Sequence, residues 1–168
     1  MAIVYLGLGT NLGDRFANLR AAIDALEAVG RVEARSKVYE TQPLYVTEQP
    51  AFLNMAVRLS TTLTPPALLA ELKRLEAAIG RVASVRYGPR LIDLDILLYD
   101  DIAHDSPDLV IPHPRLTERH FALIPLADIA ASIVHPIHRQ TIRTLLDALP
   151  ADDGVRLADE MAMRELVA

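Results

Sequence analysis

Apolar and polar residues alternate with period two over residues 2 to 9, so Val4, Leu6 and Leu8 share one face of a strand and Tyr5, Gly7 and Gly9 the other. That second face is small enough to admit a ligand. The period then becomes helical, with Phe16, Leu19, Ile23, Leu26 and Val29 in one stripe, Asp14 as the N-cap and Gly30 as the expected stop. Residues 32 to 40 alternate again, Val32, Ala34, Ser36 and Val38 against Glu33, Arg35, Lys37 and Tyr39, and predict a strand with one solvated face. Pro43 and Pro50 make residues 41 to 51 a loop. Over residues 52 to 60, Leu53, Met55, Val57 and Leu59 point inward, with Phe52, Asn54, Ala56 and Arg58 opposite. Thr64 and Pro65 open a second helix, Leu68, Leu72, Leu75 and Ile79 form its buried stripe, and Gly80 ends it.

A loop over residues 81 to 90 leads to a strand with Ile92, Leu94, Ile96 and Leu98 facing the core and Asp93 and Asp95 facing away. The order strand, helix, strand, strand, helix, strand predicts an α+β fold with a ferredoxin-like βαββαβ core, a mainly antiparallel sheet. Each strand has one aliphatic face, so both helices are expected on the same side, with the other side open. On that open side the pattern gathers Gly9, Phe52, Asn54, Asp93 and Asp95. After residue 100 the periodicity weakens into C-terminal additions. Residues 111 to 114 are extended or turning because of their prolines, and residues 116 to 130 predict a short helix ending in a buried Ile124-Pro125-Leu126 turn. A further helix is expected over 140 to 149, and the tail from 150 carries no assignable role.

The run Arg86-Tyr87-Gly88-Pro89-Arg90-Leu91-Ile92-Asp93-Leu94-Asp95 carries the chemistry. Aspartate is depleted in strands, and here two of them share one face. Their Cα atoms would lie roughly 6.5 to 7 Å apart by strand rise. From that separation two carboxylates can hold one or two Mg²⁺ ions against a polyphosphate. Arg86 and Arg90 suit phosphate oxygens. An aromatic ring, an amide and two carboxylates on one face describe a pocket for a flat polar heterocycle beside a metal-bound phosphate.

Composition narrows the classes. A chain of 168 residues with 51% hydrophobic content supports a single domain over residues 1–168 with a sizeable core. No long apolar run and no leader pattern is present, so a soluble, cytoplasmic protein without a membrane span is expected. The absence of cysteine removes disulfides, thiolate chemistry and cysteine zinc sites. A formal net charge of -5 argues against broad nucleic-acid binding, while leaving local arginines for a small anion. Gly7-Leu8-Gly9-Thr10-Asn11-Leu12-Gly13 lies between a strand and a helix but misses the dinucleotide-binding spacing, and no phosphate-binding G-x-x-x-x-G-K-[ST] loop occurs. The five histidines lack metalloprotease spacing.

Over residues 2 to 148 the sequence resembles the 6-hydroxymethyl-7,8-dihydropterin pyrophosphokinases. The resemblance is carried by Gly9-Thr10-Asn11-Leu12, Tyr39-Glu40-Thr41-Gln42-Pro43-Leu44, Gln49-Pro50-Ala51-Phe52-Leu53-Asn54, Gly80-Arg81-Val82, Tyr87-Gly88-Pro89-Arg90 with Asp93-Leu94-Asp95, and Pro112-His113 followed by Arg119 and Phe121. It implies transfer of pyrophosphate from ATP to a reduced hydroxymethylpterin in folate biosynthesis. It also implies two Mg²⁺ ions on Asp93 and Asp95, and Phe52 and Phe121 around the pterin ring. Asn54, Thr41, Pro43 and Leu44 would read the pterin edge, and Arg81 and Arg90 would meet the phosphates. Glu76, Arg86, Tyr87, Ile96, His113 and Arg119 would hold ATP. The loops 41 to 51 and 81 to 90 are expected to close over the site. A monomer or small homo-oligomer is implied.

The chain departs from the family pattern in the loop after Gly80, one residue shorter than usual, where Ala83 and Ser84 replace a second arginine and Arg86 is the candidate substitute. A nucleotide- or pterin-binding regulatory module and a metal-dependent nucleotidyltransferase are the competing classes. Their products, or the lack of any, distinguish them.

Overall fold

The computed structural model describes residues 1–42, 48–80, 91–151 and 154–158. Its strands are β1 (Ala2–Thr10), β2 (Arg31–Arg35), β3 (Tyr39–Thr41), β4 (Phe52–Thr61), β5 (Asp93–Tyr99), β6 (His104–Ser106), β7 (Leu109–Ile111) and β8 (Arg156–Leu157). Its helices are α1 (Arg15–Leu26), α2 (Pro65–Ile79), α3 (His120–Ala130) and α4 (Ile142–Asp147). A six-stranded sheet runs β5-β1-β4-β3-β8, with β2 also paired to β4, and every pairing in it is antiparallel. β6 and β7 form a separate hairpin.

Local chemistry starts and stops the helices as the sequence predicts, with one exception. The Asp14 carboxylate accepts from the Ala17 amide and the Thr64 hydroxyl from the Ala67 amide, while Gly80 ends α2 with φ 104°. The exception is Gly30, which is not a left-handed cap: α1 already ends at Leu26, and Gly30 is not among the positive-φ residues. It is needed for close approach, because a Cβ there would lie 2.3 Å from the Ser60 carbonyl oxygen.

Both α1 and α2 cover the same sheet face. Val4, Leu6 and Leu8 of β1, Leu53, Met55, Val57 and Leu59 of β4, and Leu94 and Ile96 of β5 pack there with Leu19, Ile23, Leu26, Leu68 and Leu72. The opposite face is not open throughout, as the pattern had suggested. Tyr5, Ala56, Leu97 and Leu98 bury against Leu123, Leu126 and Ala127 of α3 and Ile142 and Leu145 of α4, closing part of that face.

Leu98 lies on this second face because the β1–β5 register shifts: Leu6 pairs with Ile96, but Tyr5 pairs with Leu98. Leu97 is the extra residue of a bulge, and the bulge reverses the alternation that follows it. The strand expected over 32 to 40 is likewise interrupted at residues 36–38, giving β2 and β3. Ser36 bridges the gap: its amide donates to the Ala56 carbonyl at 2.8 Å, and its hydroxyl accepts from the Ala56 amide at 2.8 Å. α3 continues through Pro125, where a turn was expected; the missing N–H leaves the Phe121 carbonyl without its i+4 donor. In the tail, β8 pairs with β3. Among the described residues no helix is long and apolar enough to cross a membrane.

Gly30→Ala should destabilise the protein by about 1–3 kcal/mol, the range for forced overpacking, and Gly30→Asn should do no better. Urea unfolding is the measurement. An Asn variant as stable as wild type would restore the helix-cap reading.

Candidate active site

The register of three strands assembles the site. Gly9 of β1 pairs with Asn54 of β4 on one side and Asp93 of β5 on the other; in the adjacent row Gly7 lies between Ala56 and Asp95. Because glycine has no side chain, the floor between the amide and the carboxylate is bare backbone. A Cβ at Gly9 would meet Asn54 Oδ1 at 3.2 Å and approach Phe52 Cδ1 at 4.0 Å, so both side chains lean over that floor. The buried Asn54 amide is oriented by donation from Nδ2 to Thr41 Oγ1 at 2.8 Å. The sequence expectation that Gly9, Phe52, Asn54, Asp93 and Asp95 converge on one face therefore agrees with the strand register.

Asp93 is half-buried and Asp95 exposed, on the strand at the edge of the sheet. Between them the Leu94 amide donates to Glu76 Oε2 at 2.8 Å. Glu76 is 2% exposed, on α2, and Lys73 Nζ stands 3.7 Å from its Oε1. Its oxygen thus closes a free backbone donor at the sheet edge and holds the segment carrying both aspartates. Ile96, expected at the nucleotide, buries its side chain in the α1/α2 core, which leaves its backbone to face any ligand.

Beyond β5, the His113 amide donates to the Leu97 carbonyl at 3.0 Å and hooks the following turn to the edge strand. His113 Nδ1 accepts from the Arg115 amide at 3.2 Å, so in the neutral ring the hydrogen is on Nε2. Burial, with the Arg119 and Arg115 guanidinium groups nearby, lowers the His113 pKa to about 4. Arg119, the residue preceding α3, stacks its guanidinium carbon 5.2 Å from the Phe121 ring centroid. Its Nε is buried without a hydrogen-bond partner among the described residues. Two arginines and a neutral histidine beside two carboxylates form a place for a polyanion accompanied by cations.

The entry to β4 is braced by residues whose part in the site the sequence reading did not single out. Asn11 Nδ2 donates to Gln49 Oε1 at 2.9 Å and to the Pro50 carbonyl at 3.0 Å; Arg15 Nη1 donates to the Ala51 carbonyl at 3.0 Å and pairs with Glu40 at 2.9 Å. Asn11 lies inside the Gly-Thr-Asn turn, and Gln49, Pro50 and Ala51 lie in the segment that leads to Phe52 and Asn54. Arg15 belongs to no motif, and its partner Glu40, 25 positions away, lies in the Tyr39-to-Leu44 segment without a role assigned to it. Pro43, Leu44, Arg81, Arg86, Tyr87 and Arg90 lie outside the described residues, as do residues 43–47 of the first loop expected to close and the whole of the second.

Residues 5–131 match the model of the family described as 7,8-dihydro-6-hydroxymethylpterin-pyrophosphokinase. The chain is 46% identical over 151 residues to the 2-amino-4-hydroxy-6-hydroxymethyldihydropteridine pyrophosphokinase of Methylorubrum extorquens, covering 89% of this chain and 94% of that protein. It is 38% identical over 167 residues to the folic acid synthesis protein fol1 of Schizosaccharomyces pombe, covering 98% of this chain and 23% of that protein. The chain therefore spans under a quarter of that longer relative. A crystal structure of Plasmodium falciparum HPPK-DHPS with pteroate superposes with a TM-score of 0.74 at 18% identity, over 87% of this chain and 44% of that one, and shares the fold. With the family match covering most of the chain and the Methylorubrum relative matched almost end to end, this protein belongs to the 7,8-dihydro-6-hydroxymethylpterin-pyrophosphokinase family.

Proposed function

We propose that the protein transfers pyrophosphate from ATP to 6-hydroxymethyl-7,8-dihydropterin, giving AMP and the pterin diphosphate, in folate biosynthesis. The observation that carries this reading is the row Asn54, Gly9, Asp93. An amide suited to a flat polar heterocycle and a carboxylate suited to a cation flank a residue with no side chain, inside the segment matched by the family. We read the chain as one domain whose strand order is the ferredoxin-like arrangement, which supplies that row.

Asp93 and Asp95 offer acceptor-only, hard oxygens on one strand face, a donor set that fits Mg²⁺ shared with phosphate oxygens. They would hold the two expected ions, and Mg²⁺ bound there supplies charge neutralisation for the transferring phosphates. Phe52 and Phe121 flank the pterin ring. The Asn54 amide, with Thr41, Pro43 and Leu44, reads its polar edge. Since Nδ2 of Asn54 already donates to Thr41, its Oδ1 and second N–H are the groups turned to the ligand. Arg81 and Arg90 meet the phosphates; Arg86, Tyr87, His113 and Arg119 hold ATP, with Glu76 and Ile96 supporting β5.

The hydroxymethyl oxygen attacks the β-phosphorus in line and AMP leaves. Charge builds on equatorial oxygens, so positioning and electrostatic stabilisation dominate and no strong base is required.

Chromatographic product analysis with ATP, Mg²⁺ and the reduced pterin tests the reaction. Equimolar AMP and pterin diphosphate are expected, and pyrophosphate with a nucleotidylated pterin would assign the other chemistry. Asp95→Ala should lower turnover by roughly 10²–10³-fold or more, the cost of removing one transition-state stabiliser, with pterin affinity nearly unchanged. Phe52→Ala should do the reverse, weakening pterin binding by roughly tenfold through lost stacking while leaving ATP binding intact; an unchanged pterin isotherm would remove Phe52 from the slot.

His113 gives a pH signature. Its pKa of about 4 leaves it neutral at pH 7, and a polyphosphate placed beside it raises that pKa. Protons are therefore taken up on binding, and nucleotide affinity strengthens as the pH falls toward 5. Calorimetry of a nonhydrolysable ATP analogue in two buffers at pH 5.5 should record more proton uptake for wild type than for His113→Gln. Equal uptake would separate His113 from the phosphates.

A further inference from the structure

The interruption between β2 and β3 exposes backbone groups that a continuous strand would have paired, and three of them find partners elsewhere. Lys37 N–H donates to Asp128 Oδ2 at 3.2 Å, the Lys37 carbonyl accepts from the Ser36 hydroxyl at 2.7 Å, and the Val38 carbonyl accepts from the Ala158 amide at 2.9 Å. Asp128 also accepts from the Tyr39 hydroxyl, at 2.9 Å to Oδ2 and 3.1 Å to Oδ1. One carboxylate on α3 thus binds two successive features of the strand edge, a backbone amide and a phenol.

What this joins is the two sides of the proposed pterin slot. Tyr39 pairs with Asn54 across β3 and β4, and Thr41, two residues along β3, accepts from the Asn54 amide. On the helix, Phe121 and Asp128 are seven residues apart, close to two full turns, so they lie on one face roughly 10 Å apart along the axis. Pro125 removes a ladder bond from the turn that carries Phe121, and the helix therefore depends more on contacts to the sheet for its placement. The carboxylate also holds the phenol proton, with burial and the negative charge raising the Tyr39 pKa to about 12.

We propose that Asp128 and Tyr39 are positioning residues for the pterin: a clasp between α3 and β3 that sets the distance between Phe121 and the Asn54–Thr41 edge. Neither residue touches the reacting atoms. The inference rests on the proposed reaction and adds a determinant of pterin affinity outside the slot. The clasp grips the sheet beside the pterin side of the site, away from the aspartates; α3 also carries Arg119 at its start, so loss of the clasp weakens pterin binding strongly and nucleotide binding to a much smaller degree.

The test compares wild type with Asp128→Ala, Asp128→Asn, Tyr39→Phe and the double variant Asp128→Ala/Tyr39→Phe. Asp128→Ala should raise the pterin KM by roughly tenfold, the scale of a charge-assisted hydrogen bond, with kcat and the Kd of a nonhydrolysable ATP analogue within about twofold. Asp128→Asn keeps an acceptor and should recover most of the loss. Tyr39→Phe should add little to Asp128→Ala, because the two act through one contact. Pterin and nucleotide affinities falling together, or single-variant effects that simply add, would overturn the clasp, as would an unchanged pterin KM in Asp128→Ala. A wild-type protein that binds no pterin would instead overturn the proposed reaction and this inference with it, which separates the two failures.

Discussion

The site depends on strand β1 being a two-faced element in the middle of the sheet. Its leucines and valine must all face α1 and α2, because a slip of one residue would turn the whole apolar set to the other side. Burial of that face sets the pairing with β4 and β5 together, and the same register brings Gly9 between Asn54 and Asp93. The core and the site are therefore two faces of one constraint. The hydrophobic effect selects the register, and the functional row is formed on the side that contributes least to burial.

Edges and interruptions are where the remaining polar backbone must find partners, and those partners lie near the site. β5 is an edge strand, and a buried glutamate from α2 takes the amide between its two aspartates. At the opposite edge the break between β2 and β3 is closed by a serine hydroxyl, an aspartate from α3 and an amide near the chain end. For the buried Leu94 and Ala56 amides, a donor left without an acceptor costs on the order of 1–3 kcal/mol, while the exposed Lys37 amide gains less from its carboxylate. Each closure therefore holds its strand in place, and the candidate ligand groups are carried by strands held in this way.

The electrostatics divide the same surface. Carboxylates stand on β5, while Arg115, Arg119 and a neutral His113 stand in the turn hooked to that strand. Against a formal net charge of -5, this local concentration of guanidinium groups is suited to a compact polyanion such as a polyphosphate. The adjacent row, with its amide, phenyl ring and bare glycine floor, suits a flat neutral heterocycle. The proposed transfer needs those two environments side by side.

Much of this was legible in the chain by itself. Alternation identified the faces of β1 and β4, Asp14, Thr64 and Gly80 marked helix ends, and the same alternation put Asp93 and Asp95 on one face of β5, because caps and periodicity are local and act within a few residues. Tertiary structure decided what local patterns do not contain. The bulge at Leu97 turned Leu98 to the second face, Ser36 replaced a stretch of strand, α3 ran through Pro125 to cover part of a face expected to be open, and Gly30 answered to Ser60 rather than to its own helix. Glu76 and Asp128 carried no sign of the distant amides they bind, since nothing local to a carboxylate specifies a partner 18 or 91 residues away. Periodicity determines which face a side chain takes; only the packed register determines what that face meets.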